Sequence, residues 1–431
     1  MKVLVVGSGG REHAIARHLL QSPEVTQVFC IPGNGGTATL PRCRNFAMSV
    51  DDFEGIGCLA SVQGVSLVVI GPEQPLAAGI TDYLRQQNLT VFGPTQAGAQ
   101  LEASKSWAKT LMLAADIPTA KSATFTTVAA ARAYIAAQGA PIVVKADGLA
   151  AGKGAIVAPT LETAIAAAET LWEQGHKTLV VEEYLEGEEL SVFALTDGKS
   201  TRLLLPAQDH KRIGEGDIGD NTGGMGAYAP APLGTPALLA RVEQEIIQPT
   251  VQALAGRRID YRGVIYAGLM VTPSGDPKVL EFNCRFGDPE AQAVLPLLET
   301  PLHTVLLACA CQTLDQLPPL TWQPGFAACV VAASPGYPGD YPKGAPITGL
   351  AEAETDTSFV YQAGTQLKQQ QLLTSGGRVL GVTGLGDTLT VAVERAYDAI
   401  QKIDFTGIYY RRDIAWRALS TARGDGQTDT G

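Results

Sequence analysis

Over the first hundred residues, short unbroken apolar runs alternate with stretches whose apolar residues recur at helical spacing. KVLVVG (2–7) leads into REHAIARHLLQS (11–22), and VTQVFCIPG (25–33) follows. VSLVVIGPEQPL (65–76) then precedes AAGITDYLRQQN (77–88) and TVFGPT (90–95). Continuous Val/Ile/Leu runs joined by helical crossovers predict a parallel sheet covered on both faces, a Rossmann-like α/β layer. In such sheets ligands sit at the carboxyl ends of the strands, and these runs end in Gly, Pro, Asn and Glu. SKSWAKTLMLAADIPTA (104–120) predicts a helix that breaks at Pro118.

The pattern then changes to α+β. APIVVKADGLAAGKGAIVAP (140–159) predicts two strands around a glycine-rich turn, LETAIAAAETLWEQG (161–175) a helix, and KTLVVEEYLEGEELSVFALT (177–196) two further strands. LLLPAQDHKRIGEGDIGDNTGGMGAYAPAP (203–232) reads as a strand and then a long polar loop of the functional kind. RGVIYAGLMVTPSGDPKVLEFNCRFGDPE (262–290) reads as a hairpin turning at Ser-Gly-Asp-Pro. From about 325 the chain is strand-rich again, and DTLTVAVERAYDAIQKI (387–403) predicts a last helix before a polar, frayed tail. No internal repeat is visible.

Length and composition narrow the class. A chain of 431 residues implies roughly two to four domains. A formal charge of −11 argues against a nucleic-acid surface. No run is apolar and long enough for a membrane span, and the N-terminus lacks the pattern of a secretory leader, so the expectation is cytoplasmic. The seven cysteines are scattered without a C-x-x-C pair, which predicts reduced thiols and no zinc site; Cys309 and Cys311 read as core residues.

Four motifs carry candidate chemistry. In GSGGREHA (7–14), Gly7, Gly9 and Gly10 let the backbone approach an anion at a helix N-terminus, with Arg11 as a clamp. A dinucleotide fingerprint would need glycine where Glu12 stands and an acid after the second strand, and both are missing. A plain tight turn is the alternative. In VVKADGLAAGKGAIV (143–157), Gly148, Gly152 and Gly154 with Lys145 and Lys153 fit a turn over a phosphate chain, though not a P-loop; a plain hairpin is the alternative. A lysine inside the apolar run at 145 requires an anionic partner or a route to water. VVEEYLEGEELS (180–191) offers backbone for a base edge and acids for ribose hydroxyls, or merely an acidic surface turn. In EFNCRFGDPE (281–290), Glu281 and Asn283 share one face of a strand end, and Arg285 follows on the same side. Carboxylate and amide oxygens beside an arginine suit Mg²⁺ and a transferring phosphoryl group.

Together these stretches resemble the phosphoribosylamine–glycine ligase family of the ATP-grasp superfamily over nearly the whole chain, to about residue 420. The resemblance rests on GSGGREHA, GPEQPL, QDHKRIGEGDIGDNTGGMGAY and EFNCRFGDPEAQ, and the absence of a fused enzyme suggests the single-enzyme bacterial form. It implies a phosphoribosylamine-binding domain at 1–103, a central ATP-grasp domain at 104–122 with 193–324, a mobile glycine-rich lid at 123–192, and a small C-terminal domain at 325–431. It implies that ATP drives the joining of glycine to 5-phosphoribosylamine through glycyl phosphate, a step of purine synthesis. Glu281 and Asn283 would hold Mg²⁺ (or Mn²⁺). Lys105, Lys145, Lys153 and the turn Gly148, Gly152, Gly154 would meet the phosphates, Glu182, Tyr184 and Leu185 the adenine, and Glu189 (or Glu188) the ribose. Arg285 would steady the migrating phosphoryl group. Asp209, His210, Lys211 and the turn Asn221, Thr222, Gly223, Gly224, Met225, Gly226 would line the glycine and acyl-phosphate site, with Asp288 on the glycine ammonium. Gly9, Gly10, Arg11 and Glu73 would meet phosphoribosylamine. A transient contact with the enzyme that makes this labile amine is also implied. One departure stands out: VIYAGLMV (264–271) lacks the further metal-binding acid that many ATP-grasp ligases carry on that strand. The rival readings are another carboxylate–amine ligase or formyl transferase of the superfamily, a dinucleotide-dependent oxidoreductase, and a non-catalytic nucleotide sensor.

Overall fold

The computed structural model describes residues 1–150 and 154–424, the last four as helix backbone only. Gly152, Lys153 and most of the polar tail therefore lie outside the described residues.

The N-terminal apolar runs form a parallel five-stranded sheet of Lys2–Gly7, Gln27–Pro32, Cys43–Asn45, Leu67–Ile70 and Val91–Phe92. Lys2–Gly7 lies between the second and fourth strands, so the order reverses beside it and its end at Gly7 opens the crevice. Val3, Leu4, Val5 and Val6 have no exposed surface, as expected of a strand covered on both faces. The stretch expected to form one helix over 77–88 forms two, Glu73–Ala78 and Ile80–Gln86. The break is Gly79 at φ +95°, where the first helix ends in a left-handed cap.

Residues 122–183 build an antiparallel four-stranded sheet in the order Ser122–Phe125, Leu179–Glu183, Ile142–Ala146, Ala155–Ala158. Its helices, Val128–Gln138 and Leu161–Glu173, are capped by Thr127 and Thr160. Ala131, Ile135, Ala164, Ala168 and Leu171 close a separate small core beneath them.

A second antiparallel sheet orders Thr201–Leu203, Glu188–Thr196, Gly263–Val271 and Pro277–Asn283. The last two strands are the expected hairpin. A third sheet orders Gln208–Asp209, Gly226–Ala229, Phe326–Ala333, Arg378–Gly386 and Ser358–Gln362. It takes two strands from before residue 325 and three from after it, so the long loop leaves and re-enters the C-terminal sheet.

That loop is more regular than its composition suggests. Arg212–Gly214 and Ile218–Asn221 pair as a small hairpin, whose polar strands carry no apolar alternation to announce them. A helix at Trp416–Gly424, absent from the sequence reading, follows the expected Leu389–Ile400. Cys309 is buried as expected, but Cys311 is exposed, because it ends the helix Leu302–Cys311.

The link into strand Glu188–Thr196 is tight. Gly187 has φ +145°, and a Cβ there would stand 2.1 Å from the Val271 carbonyl oxygen. Gly187→Ala is expected to cost roughly 1–3 kcal/mol of stability through strain and that clash. A clear drop in the thermal midpoint is the expected result, and an unchanged midpoint would contradict it.

Candidate active site

The strand Pro277–Asn283 sets the site's frame. Its register shifts by one residue between Val279 and Glu281, after which Glu281 pairs with Gly268 and Asn283 with Tyr266. Glu281 and Asn283 thus share a face, as the period of two predicts. Arg285 turns back over them. Its Nη2 donates to Asn283 Oδ1 at 3.1 Å and to Glu102 at 2.9 Å, and its Nε to Glu73 at 3.3 Å. Burial opposes the guanidinium's charge, but Glu102 and Glu73 outweigh it and raise its pKa. Glu102 also accepts the Cys284 N–H at 2.8 Å. It was not foreseen, because it comes from the end of the distant helix Gln96–Ala103.

Cations gather around Glu281. Burial pushes its pKa up, yet Lys211, Lys145, Lys105 and Arg285 bring it below the ordinary range, so it is ionised. Lys145, 6% exposed on Ile142–Ala146, has its Nζ 2.9 Å from Glu182 and donates to the Leu280 carbonyl at 2.9 Å. The unforeseen Lys109 reaches the same Glu182 at 3.2 Å. Two lysines therefore occupy the Glu182 carboxylate, and what this strand offers a flat base is its backbone, with the exposed Tyr184 and the buried Leu185 beyond it. Lys105 donates to the Gly148 carbonyl at 2.8 Å, and Gly154 accepts the Ala146 N–H, so both ends of the glycine turn are anchored.

Lys211 pairs with Glu189. Burial pushes Asp209 up to about 7; Lys211 opposes this, while Glu290, Glu189 and Glu281 add to it. Glu290 was also unforeseen as a site group. It accepts the Tyr266 hydroxyl at 2.6 Å, and Ser191 Oγ lies 2.9 Å from the same hydroxyl. The only signal for Glu290 was the second acid in GDPE.

The N-terminal turn meets this cluster from the other side. Arg11 pairs with Glu12 at 2.6 Å and donates to the Phe286 carbonyl at 2.9 Å, while its N–H reaches Asp288 at 3.3 Å. Glu12 accepts the Gly9 N–H at 2.6 Å. A Cβ on Gly71 or Gly7 would stand 2.1 or 2.5 Å from the Glu12 side chain, so Glu12 fills the space a third glycine would open. Gly10 packs against Gln292, which donates to Asp288 at 2.9 Å. Arg378, from a C-terminal strand, donates to the Asp288 carbonyl at 2.6 Å and the Gly223 carbonyl at 2.5 Å. Its 90-residue separation from Asp288 hid it from local motif reading. In the turn Asn221–Gly226, the Thr222 hydroxyl donates to the Lys211 carbonyl at 2.8 Å and accepts the Gly224 N–H at 2.9 Å, and the Met225 N–H donates to the His210 carbonyl.

His210 differs from expectation. Its ring is fully buried and Nε2 accepts the Ala415 N–H at 2.9 Å, so it ties the loop to the C-terminal segment and presents no group to a ligand. Among the described residues no group of three or more His, Cys, Asp or Glu could hold a metal ion. Glu281 and Asn283 still fit a Mg²⁺ that takes its other ligands from phosphate and water. A cavity of about 510 Å³ lined by His13, Arg17 and Arg42 shares none of these residues.

A two-sided cleft of this kind, with lysines over a carboxylate-ended strand and a separate α+β unit above, defines the ATP-grasp class of ligases. Family profiles agree: residues 103–291 match "Phosphoribosylglycinamide synthetase, ATP-grasp (A) domain", 1–102 its N domain and 327–417 its C domain. Phosphoribosylamine–glycine ligase of Nostoc sp. is 62% identical over 97% of this chain and 100% of its own. That of Synechocystis sp. is 60% identical over the same shares. The crystal structure of phosphoribosylamine–glycine ligase from Thermotoga maritima superposes with a TM-score of 0.82 at 33% identity, covering 96% of this chain and all of the other. A biotin carboxylase domain from Hydrogenobacter thermophilus, solved with MgADP, shares the fold at TM-score 0.73 and 16% identity. The chain belongs to the phosphoribosylamine–glycine ligase family, ATP-dependent carbon–nitrogen ligases of purine biosynthesis.

The displaced acidity of Asp209 has a measurable sign. Its folded pKa of about 7 lies above the ordinary 3.8, so the folded protein holds a proton there that the unfolded chain has lost. Wild-type stability relative to Asp209→Asn should therefore fall as pH rises from about 4 to about 7 and level off above. Melting curves of both proteins across that range check this, and a pH-independent difference would contradict it.

Proposed function

We propose that the cleft binds MgATP, glycine and 5-phosphoribosylamine and joins the last two with release of ADP and phosphate. The observation that carries this reading is the convergence of Lys105, Lys145, Lys211 and Arg285 on the ionised Glu281. Fixed cations gathered around one ionised carboxylate suit a polyphosphate, and phosphoryl transfer asks for little else from a protein.

The chemistry follows in two displacements. A glycine carboxylate oxygen attacks the γ-phosphorus of ATP, the bond to ADP breaks, and glycyl phosphate forms. The amine nitrogen then attacks the acyl carbon, the carbon–oxygen bond to phosphate breaks, and the nitrogen gives up a proton. Asp209, with its pKa near 7, is suited to receive that proton. Lys105 and Lys145 hold the ATP phosphates, and Arg285, fixed by Glu73 and Glu102, holds the group in flight. Glu281 and Asn283 would hold Mg²⁺, which when bound neutralises phosphate charge. The backbone of 182–185 borders adenine, and Glu189 is assigned to the ribose. Lys211 and the Asn221–Gly226 turn face the acyl phosphate, and Asp288 takes the glycine ammonium. Gly9, Gly10, Arg11 and Glu73 face phosphoribosylamine. The lid function of the 148–154 turn and a division at 103, 122, 192 and 324 belong to the same reading. Among the described residues no helix is long and apolar enough to cross a membrane; work in the cytoplasm, and a transient contact with the enzyme that makes the labile amine, are further parts of the proposal.

The direct test is ADP release by the purified protein with MgATP, glycine and the amine formed from ribose 5-phosphate and ammonia. Release that needs both acceptors, with the ligated product seen by mass, is expected; release with a different carboxylate or amine would discard these substrates. Glu281→Gln should fold but lose about two to three orders of magnitude in turnover, and wild-type turnover would remove Glu281 from metal binding. Lys145→Ala should raise the KM for ATP more than that for glycine, and an unchanged ATP dependence would take Lys145 off the phosphates.

A further inference from the structure

The polar hairpin inside the 209–226 loop has almost no apolar anchor: Ile218 is 68% exposed and Glu215, Gly216, Gly219 and Asp220 are exposed. It is held by the segment 409–417 near the far end of the chain. Arg411 has no exposed surface. Its Nε and Nη2 grip Asp413 at 2.8 and 2.7 Å, while Nη1 donates to Asp217 at 2.9 Å and to the Arg212 carbonyl at 3.0 Å. Asp413 in turn accepts the Gly216 N–H at 2.8 Å, and Glu215 accepts the Arg412 N–H at 3.1 Å. Tyr409 donates to the Ile213 carbonyl at 2.8 Å. Trp416 Nε1 and Arg417 also reach Asp217, at 3.1 and 2.6 Å.

These contacts touch the hairpin at 212, 213, 215, 216 and 217, and with the Ala415–His210 bond they flank Lys211 on both sides. A planar guanidinium bonded to two carboxylates and a carbonyl fixes direction as well as distance, which an ammonium would not. The structure assigns Arg411 as a positioning residue that, through Asp217 and the Arg212 carbonyl, holds Asp209 and Lys211 in their catalytic places. This inference rests on the reading of the 209–226 loop given above. Because a displacement of about 1 Å at a reacting group can cost on the order of a hundredfold in rate, a loop whose hairpin is largely exposed depends on such a clamp.

The test uses the full-length protein with Arg411→Lys and, as a milder change, Asp217→Asn, beside Lys211→Ala as the reference for the loop itself. Steady-state kinetics give kcat and the KM for glycine, and calorimetry gives the Kd for MgATP without glycine. In Arg411→Lys, kcat over KM for glycine should fall by about tenfold or more, while the MgATP Kd moves less than about twofold. Asp217→Asn should show the same split more weakly. Wild-type glycine kinetics in both variants, with Lys211→Ala impaired, would overturn the clamp and leave the functional reading standing. Parallel losses in glycine kinetics and MgATP affinity would also overturn it, by pointing to general destabilisation. Full activity of Lys211→Ala would overturn the loop's place in the site and the inference with it.

Discussion

Everything in the cleft depends on how its buried charges are neutralised. Lys145 answers to Glu182, Lys211 to Glu189, and Arg285 to Glu73 and Glu102. Leaving a deeply buried charge uncompensated would cost several kcal/mol, and Lys145 and Arg285 have acids beside them before any phosphate arrives, Lys145 sharing Glu182 with Lys109. Each link also spans two parts of the chain: Arg285 ties the strand end to the helices Glu73–Ala78 and Gln96–Ala103, and Lys145 ties the small α+β sheet to Leu280. The charges that would meet ATP are thus the ones that hold the layers in register.

The C-terminal part of the chain does comparable work for the loop at 209–226. The strands of its sheet include Gln208–Asp209 and Gly226–Ala229; Arg378, on one of those strands, and Arg411, from the segment beyond the sheet, bond to different parts of the loop between them. Neither arginine contacts the Glu281 cluster. Their effect is to convert a glycine-rich polar loop, which on its own would sample many conformations, into a surface of fixed hydrogen-bond groups.

Much of this was legible from local pattern. Uninterrupted Val/Ile/Leu runs announced the parallel sheet, and the two-residue period in EFN put Glu281 and Asn283 on one face. Lys145 in an apolar run required an anion or a route to water, and Glu182 supplies the anion. What was not legible comes from long range. Glu102, Lys109, Arg378 and Arg411 carry no motif of their own; they matter because the fold delivers them to partners elsewhere. His210 misled because it sits between two exposed-looking polar neighbours, while the backbone turns its ring into the C-terminal core. The hairpin at 212–221 has no alternation because much of it lies at the surface, so ionic anchoring took the place of the usual signal.

In the proposed reaction these fixed cations serve to move a phosphoryl group from ATP onto a carboxylate. The most direct measurement is to run the reaction with glycine labelled in both carboxylate oxygens with oxygen-18 and to weigh the inorganic phosphate released. Transfer of one labelled oxygen into each phosphate is expected, because the acyl carbon–oxygen bond breaks only after that oxygen has joined phosphorus. Phosphate free of label would contradict it, since ATP would then have been split without passing through glycyl phosphate.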